Sequence, residues 1–179
     1  MKETTIIIFT LSVFANCNIN MDSSLQEFYE NPDTTHINQL LLSTSKLSRQ
    51  NPDSALVILT HLENLPDITQ YNYELAKAYF LHGNILYKIN VYSEALGLFK
   101  KALDKSTLND YQLLLGRCLE RMASIHLTMG NSNLSLKLYY ESLVIFERLN
   151  DIKGIAKVYN IFGVYKAESG DFELAEDYL

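Results

Sequence analysis

Tryptophan is absent from this chain, and cysteine, proline and glycine are sparse, at two, three and seven residues in 179. Two cysteines, Cys17 and Cys118, make neither a disulfide framework nor a metal-ligand spacing. The shortage of Pro and Gly argues against long flexible linkers. Positive charge is short as well: 15 Lys and Arg stand against 21 Asp and Glu, a net charge of −6 at pH 7. Phosphate binding needs a basic surface, so nucleic acid is not expected as a ligand of this segment. There is no G-x-G-x-x-G, no phosphate loop and no H-E-x-x-H pair. The apolar run from Ile6 to Ala15 falls short of the roughly 20 residues that a permanent membrane helix needs.

What is present is apolar material, 47% of residues against 20% charged, enough for a folded body. Its placement is periodic. Ala55, Ala95, Ser135 and Ala175 recur at a step of forty, each followed four residues later by Leu59, Phe99, Tyr139 or Leu179. Ser43, Gly83, Ala123 and Gly163 form a second small-residue register, and Gln50, Asn90, Gly130 and Gly170 a third. A fixed period between about 20 and 50 residues indicates a solenoid rather than a single globular core.

Gly and Asn tolerate the left-handed conformation that ends a helix, so the third register marks the end of each unit's first helix. Asn51, Asn131 and Asp171 follow at once as capping residues, with Pro52 suited to the first helical position; Val91 breaks the pattern and shifts the expected cap to Ser93. The two small-residue registers lie where helices approach closely. Leu47, Tyr87 and Leu127, with Leu59, Phe99, Tyr139 and Leu179, fill the space between them. The expected hairpins pair 36–50 with 52–65, 76–90 with 92–107, 112–130 with 132–149, and 155–170 with 172 onward. Such a hairpin is stable only when stacked, and so the chain is expected to continue beyond Leu179.

The runs "GNILYKINVYSEALGLFKKAL", "ASIHLTMGNSNLSLKLYYESL" and "FGVYKAESGDFELAEDYL" resemble tetratricopeptide repeats. The resemblance is carried by Gly83, Tyr87, Ala95, Phe99 and Ala102, by Ala123, Ser135, Tyr139 and Ser142, and by Gly163, Ala175 and Tyr178, with Ser43, Ala55 and Leu59 in a degenerate first copy. It implies an all-α fold, a right-handed α-solenoid of antiparallel helix hairpins. The familiar unit has 34 residues, so a forty-residue period implies longer helices and a different superhelical pitch. The division is then 1–17 as a signal peptide or lipoprotein signal, 18–35 as a lead-in, and 36–179 as an array of about 3.5 to 4 repeats. Those repeats fall at 36–70, 76–108, 112–149 and 155–179, the last truncated.

Residues 1–17 place Lys2 before the apolar run and Val13 and Ala15 near a cleavage point, the pattern of an export signal. A leading helix or strand is the alternative, since Glu3 cancels Lys2. Cys17 would suit lipidation, but Asn16 precedes it instead of Gly, Ala or Ser. An exported, periplasmic or membrane-anchored location is the expectation, with the membrane reached through this segment or a downstream span; a cytoplasmic one is the alternative.

Candidate chemistry is better explained by packing. Cys118 occupies the repeat position of Ala78 and Val158, which makes it a buried thiol, and His82 that of Leu42, Met122 and Phe162, an interhelical position with one hydrogen bond. His126 shares its position with Lys46, Leu86 and Lys166. Glu173, Glu176 and Asp177 read as a solvated helix face, and only one of Tyr139 and Tyr140 can face the core. No catalytic residue, cofactor or metal is expected, and the segment is not read as an enzyme.

The resemblance implies a concave face lined by the first helices, where a protein or peptide binds. Carried over residue by residue, its lining is Lys77, Phe80, Asn84, Tyr87 and Lys88, then Arg117, Glu120, Ser124, Leu127 and Thr128, then Lys157, Asn160, Val164 and Glu168. The known clamp for chaperone tails wants Lys or Arg where Phe80 stands, so chaperone binding is not expected. Two functional classes remain. "ERLNDIKGIAKVYNIFGVYKAESGDFELAEDYL" is similar to repeats in bacterial signalling proteins that join such an array to a histidine kinase or helix-turn-helix regulator. A free-standing scaffold or adaptor is the alternative.

Overall fold

The computed structural model describes residues 33–65, 68–108, 111–168 and 170. Expectations for residues 1–32 and 171–179, including the signal segment, the Asp171 cap and the Ala175–Leu179 pair, lie outside these. Among the described residues seven α-helices run in order: α1 Thr34–Leu47, α2 Pro52–Glu63, α3 Asn72–Lys88, α4 Tyr92–Leu108, α5 Gln112–Thr128, α6 Ser132–Arg148 and α7 Ile152–Glu168. A 3-10 turn, Ile68–Gln70, precedes α3. No strand occurs among the described residues. The chain is an all-α, solenoid-like stack of hairpins, in which α3 touches α1 and α5 as well as its sequence neighbours α2 and α4.

Helix ends follow from local chemistry. Asp33 accepts the His36 N–H at 2.8 Å to open α1, and Asn51 accepts the Ser54 N–H at 3.0 Å to open α2, with Pro52 beside it. Asn90 and Gly130 take positive φ, 64° and 78°, where α3 and α5 stop. In both turns the next N–H reaches back to the third-last helical carbonyl, Val91 to Leu86 and Asn131 to His126, so orphan carbonyls are satisfied. Asn150, φ 53°, closes α6 in the same way through Asp151 to Phe146.

Three expectations need correction. Ser93 lies inside α4, whose first turn instead closes on the Val91 carbonyl at 3.1 Å from the Ala95 N–H, so the backbone starts this helix without a side-chain cap. Asn131 holds the cap position, yet its side chain makes no capping bond, because the preceding turn already fixes the backbone. Gln50 has no left-handed backbone; α1 ends at Leu47 and the turn closes through the Asn51 N–H to the Leu47 carbonyl. In addition, α3 begins at Asn72 and α7 at Ile152, upstream of the 76 and 155 read from the sequence. The extra turns come from Tyr71 and Asp151, whose carbonyls accept the Leu75 and Ile155 N–H groups.

The small registers sit at the tightest approaches. Ala55, Ala95 and Ser135 are fully buried, as are Leu59, Phe99 and Tyr139 one turn on. A β-carbon on Gly83 would stand 2.8 Å from the Phe99 ring, inside van der Waals contact. Ser135 serves in place of alanine because its hydroxyl donates to the Ala123 carbonyl at 2.9 Å, satisfying a buried polar group across the hairpin. The Phe146 ring wedges between two more glycines, Gly116 of α5 and Gly154 of α7. Small residues thus set the spacing of the helices.

Candidate functional site

The residues expected to line the first-helix face fall on α3, α5 and α7, and their surroundings divide them into three groups. The first is apolar packing. Phe80 is half-buried with its ring 5.7 Å from that of Phe99, and Leu127 packs against the core cluster that contains Tyr139. Tyr87 leans on Tyr92 at 5.9 Å.

The second group is polar and already engaged. Lys77 donates to Asn38 Oδ1 on α1 and lies 5.0 Å above the Tyr73 ring, while Asn38 donates to Glu74 at 3.1 Å. Lys157 of α7 donates to Glu120 Oε1 on α5. Arg117 donates to Asp151 Oδ2 at 2.6 Å, stands 3.7 Å from Glu120 Oε2, and covers the Phe146 ring at 4.8 Å. Glu120 is only 1% exposed, so this Lys157–Glu120–Arg117–Asp151 chain is a neutral, partly buried tie between the third hairpin and α7. Ser124 bonds both the Glu120 carbonyl and the Tyr139 hydroxyl, the latter at 2.8 Å. Burial raises the Tyr139 phenol above its usual pKa, opposed by that Ser124 bond and reinforced by the Glu120 charge.

The three cations Lys77, Arg117 and Lys157 are register equivalents, yet packing brings each a different partner. A residue 37 positions earlier meets Lys157 as Glu120, but the same step from Arg117 lands on Phe80 and from Lys77 on Leu40. With no carboxylate behind it, Arg117 turns forward to Asp151. Lys77 reaches Asn38 instead.

The third group faces solvent: Lys88, Thr128, Asn160, Val164 and Glu168 are exposed, and Asn84 is half-buried. One residue of this face was not anticipated. Arg121 lies over the Tyr87 ring at 5.7 Å, bridging α5 to α3. Its signal in the sequence was only a cation one turn beyond Arg117, which repeat logic does not distinguish from a solvated surface charge.

Elsewhere the packing readings match the geometry. Cys118 is fully buried, and desolvation pushes its thiol up to about 12. His82 Nδ1 meets Glu63 Oε1 of α2 at 2.8 Å. Tyr139 is 1% exposed against 63% for Tyr140. Burial lowers the pKa of His61. Among the described residues no cluster of His, Cys, Asp and Glu could hold a metal ion, and no helix is long and apolar enough to cross a membrane.

No protein-family model matches the sequence. No curated protein matches it either. Among solved structures, the fold is similar to BtubC (BKLC) from P. vanneervenii, with a TM-score of 0.73 at 20% identity, covering 92% of this chain and 68% of that one. MamA aligns more loosely, with a TM-score of 0.49 at 14% identity over 89% of this chain and 92% of that one. At these identities the likeness concerns the fold alone.

Proposed function

We propose that this chain is a protein- or peptide-binding module of the tetratricopeptide type, its ligand lying along the face formed by α3, α5 and α7. The observation that carries the reading is the composition of that face on a helical-repeat stack. Aromatic and amide groups, Tyr87, Asn84 and Asn160, stand there half-buried or exposed beside Lys88 and Thr128, a mixture able to hydrogen-bond an extended backbone. A peptide library displayed against the protein, with binders mapped by amide chemical shifts, tests it. Selected binders should perturb α3, α5 and α7, and Asn84→Ala with Asn160→Ala should weaken them; binders that map only to α4 and α6 would refute it.

Within that reading we place the module in an exported sensory segment of a bacterial signalling protein, supported by the repeat similarity and by the Lys2-led apolar run before Ala15. A periplasm-dependent reporter fused after Leu179 should be active. An inactive fusion that accumulates as intact protein would favour the cytoplasmic alternative. Reading the coding sequence past Leu179 separates sensor from scaffold directly: a membrane span followed by a kinase or DNA-binding pattern supports the sensor, and a capping helix and stop codon the scaffold.

A further inference from the structure

The two most exposed large apolar side chains among the described residues are Leu108, at 82%, and Ile152, at 77%. They belong to one edge of the stack. Leu108 ends α4 and Leu113 lies in the first turn of α5, while Leu149 follows α6 and Ile152 opens α7; all four are exposed. The two turns lie side by side, because Arg117 of α5 meets Asp151 at the head of α7 at 2.6 Å, and Gly116 and Gly154 flank the same Phe146 ring. Single exposed leucines are ordinary, but an apolar strip along one edge marks an interaction surface. The charges beside this strip divide into engaged and unengaged. Lys105 donates to Asn72 at 2.7 Å, Glu147 accepts from the Tyr159 hydroxyl, and Asp151 is held by Arg117. Among the described residues no ion pair takes up Asp104, one turn before Leu108, or Arg148 and Lys153, which flank the turn between α6 and α7; all three are exposed. Lys153, moreover, stands in the first turn of α7, where the helix dipole favours a carboxylate and no acid is present.

We propose that this edge pairs with the same edge of a second copy of the chain, in a two-fold dimer that lays the α4–α5 turn of each copy on the α6–α7 turn of the other. The strip is self-complementary in charge, since one end carries Asp104 and the other Arg148 and Lys153. A two-fold axis crossing the strip midway between the turns brings each end onto its opposite, so every contact is made twice. Leu108 of one copy then covers Ile152 of the other, and Asp104 faces Arg148 and Lys153 at the rim. Lys153 thereby gains the carboxylate that its own helix lacks. Strips laid in the same direction would instead set acid against acid and cation against cation, which charge repulsion disfavours. Tyr87, Lys88 and Thr128 lie at the far ends of α3 and α5, helices of 17 residues and so about 25 Å long. Pairing at this edge leaves the proposed peptide face open, and the two readings stand or fall separately.

Sedimentation velocity on the full chain, from about 1 to 500 µM, reads the pairing. The expected result is a reversible monomer–dimer equilibrium with a Kd of about 10–100 µM, as a small and partly polar interface gives. Leu108→Asp combined with Ile152→Asp should weaken it by at least about tenfold, and so should Asp104→Lys alone or Arg148→Glu with Lys153→Glu. An equimolar mixture of these two charge variants should recover the dimer, because every reversed charge then meets its opposite again. Misfolding does not produce recovery on mixing, so this arm separates a lost contact from a damaged fold. A chain that stays monomeric over the whole range, a dimer indifferent to the change at Leu108 and Ile152, or folded charge variants that fail to recover on mixing would each overturn the inference. A monomeric chain that floats with phosphatidylglycerol vesicles, and ceases to do so in Leu108→Asp with Ile152→Asp, assigns the edge to a lipid surface and overturns it as well.

Discussion

Two glycine-to-alanine changes, identical in chemistry, should move stability in opposite directions. Gly97 lies inside α4 with nothing within 4 Å of where a β-carbon would stand, so Gly97→Ala gains only helix propensity, about 0.8–1 kcal/mol. Gly83 lies inside α3, and there the same carbon would stand 2.8 Å from Phe99 Cε1 and 3.0 Å from Cδ1. Phe99 is fully buried and leans on Phe80, so its ring cannot swing clear without displacing another. Overpacking of this kind costs about 1–3 kcal/mol, and subtracting the propensity gain leaves Gly83→Ala between neutral and about 2 kcal/mol destabilising. The two variants should therefore differ by about 1–3 kcal/mol, or roughly 2–4 °C in Tm for each kcal/mol in a chain of this size. Urea unfolding followed by far-UV circular dichroism reads the difference as a shift of midpoint at constant m-value. Adding Phe99→Leu should remove most of the penalty at Gly83 relative to the Phe99→Leu parent. If Gly83→Ala proves as stabilising as Gly97→Ala, the small-residue register does not mark a tight approach, and the packing argument fails.

Lys157→Met leaves the buried Glu120 carboxylate with Arg117 alone and should cost about 2–3 kcal/mol in urea unfolding; Glu120→Gln strands only cations that reach water and should cost about 1 kcal/mol, so equal losses would contradict the asymmetry. Ser135→Ala loses one cross-hairpin bond in a position where Ala55 and Ala95 already fit, and should cost no more than about 1 kcal/mol, whereas Ser135→Val should cost more through overpacking. In a Cys17→Ser background, Cys118 should resist a thiol reagent at pH 8 until the chain is unfolded; rapid reaction of folded protein would show the site open. Because its folded pKa is raised from 9.0 to about 12, the Cys118 contribution is intact below about pH 9 and lost as pH rises toward 12, at up to about 1.4 kcal/mol per unit. Cys118→Ala should flatten that part of the stability profile, and an unchanged profile would assign the alkaline loss to other groups.

The period of forty, with its small, large and turn registers, was legible because each position's burial recurs from unit to unit and selects one class of side chain each time. Ala95 and Phe99, Ser135 and Tyr139, Asn90 and Gly130 were readable in this way, and so was the hidden thiol of Cys118 from its equivalence to Ala78 and Val158. Helix starts were less legible. The early turns of α3 and α7 close on the carbonyls of Tyr71 and Asp151, backbone groups that every residue carries and no side-chain pattern marks.

Polar partnerships belonged to the tertiary structure. Lys77, Arg117 and Lys157 share one register and met three different fates, and Arg121, unremarkable in sequence, came to lie over the Tyr87 ring of another helix. The reason is physical. Burial depends on the helix face a residue occupies, which the spacing along one helix fixes, whereas a hydrogen bond depends on an oxygen arriving within about 3 Å from a helix more than thirty residues away, which only the packed geometry can decide.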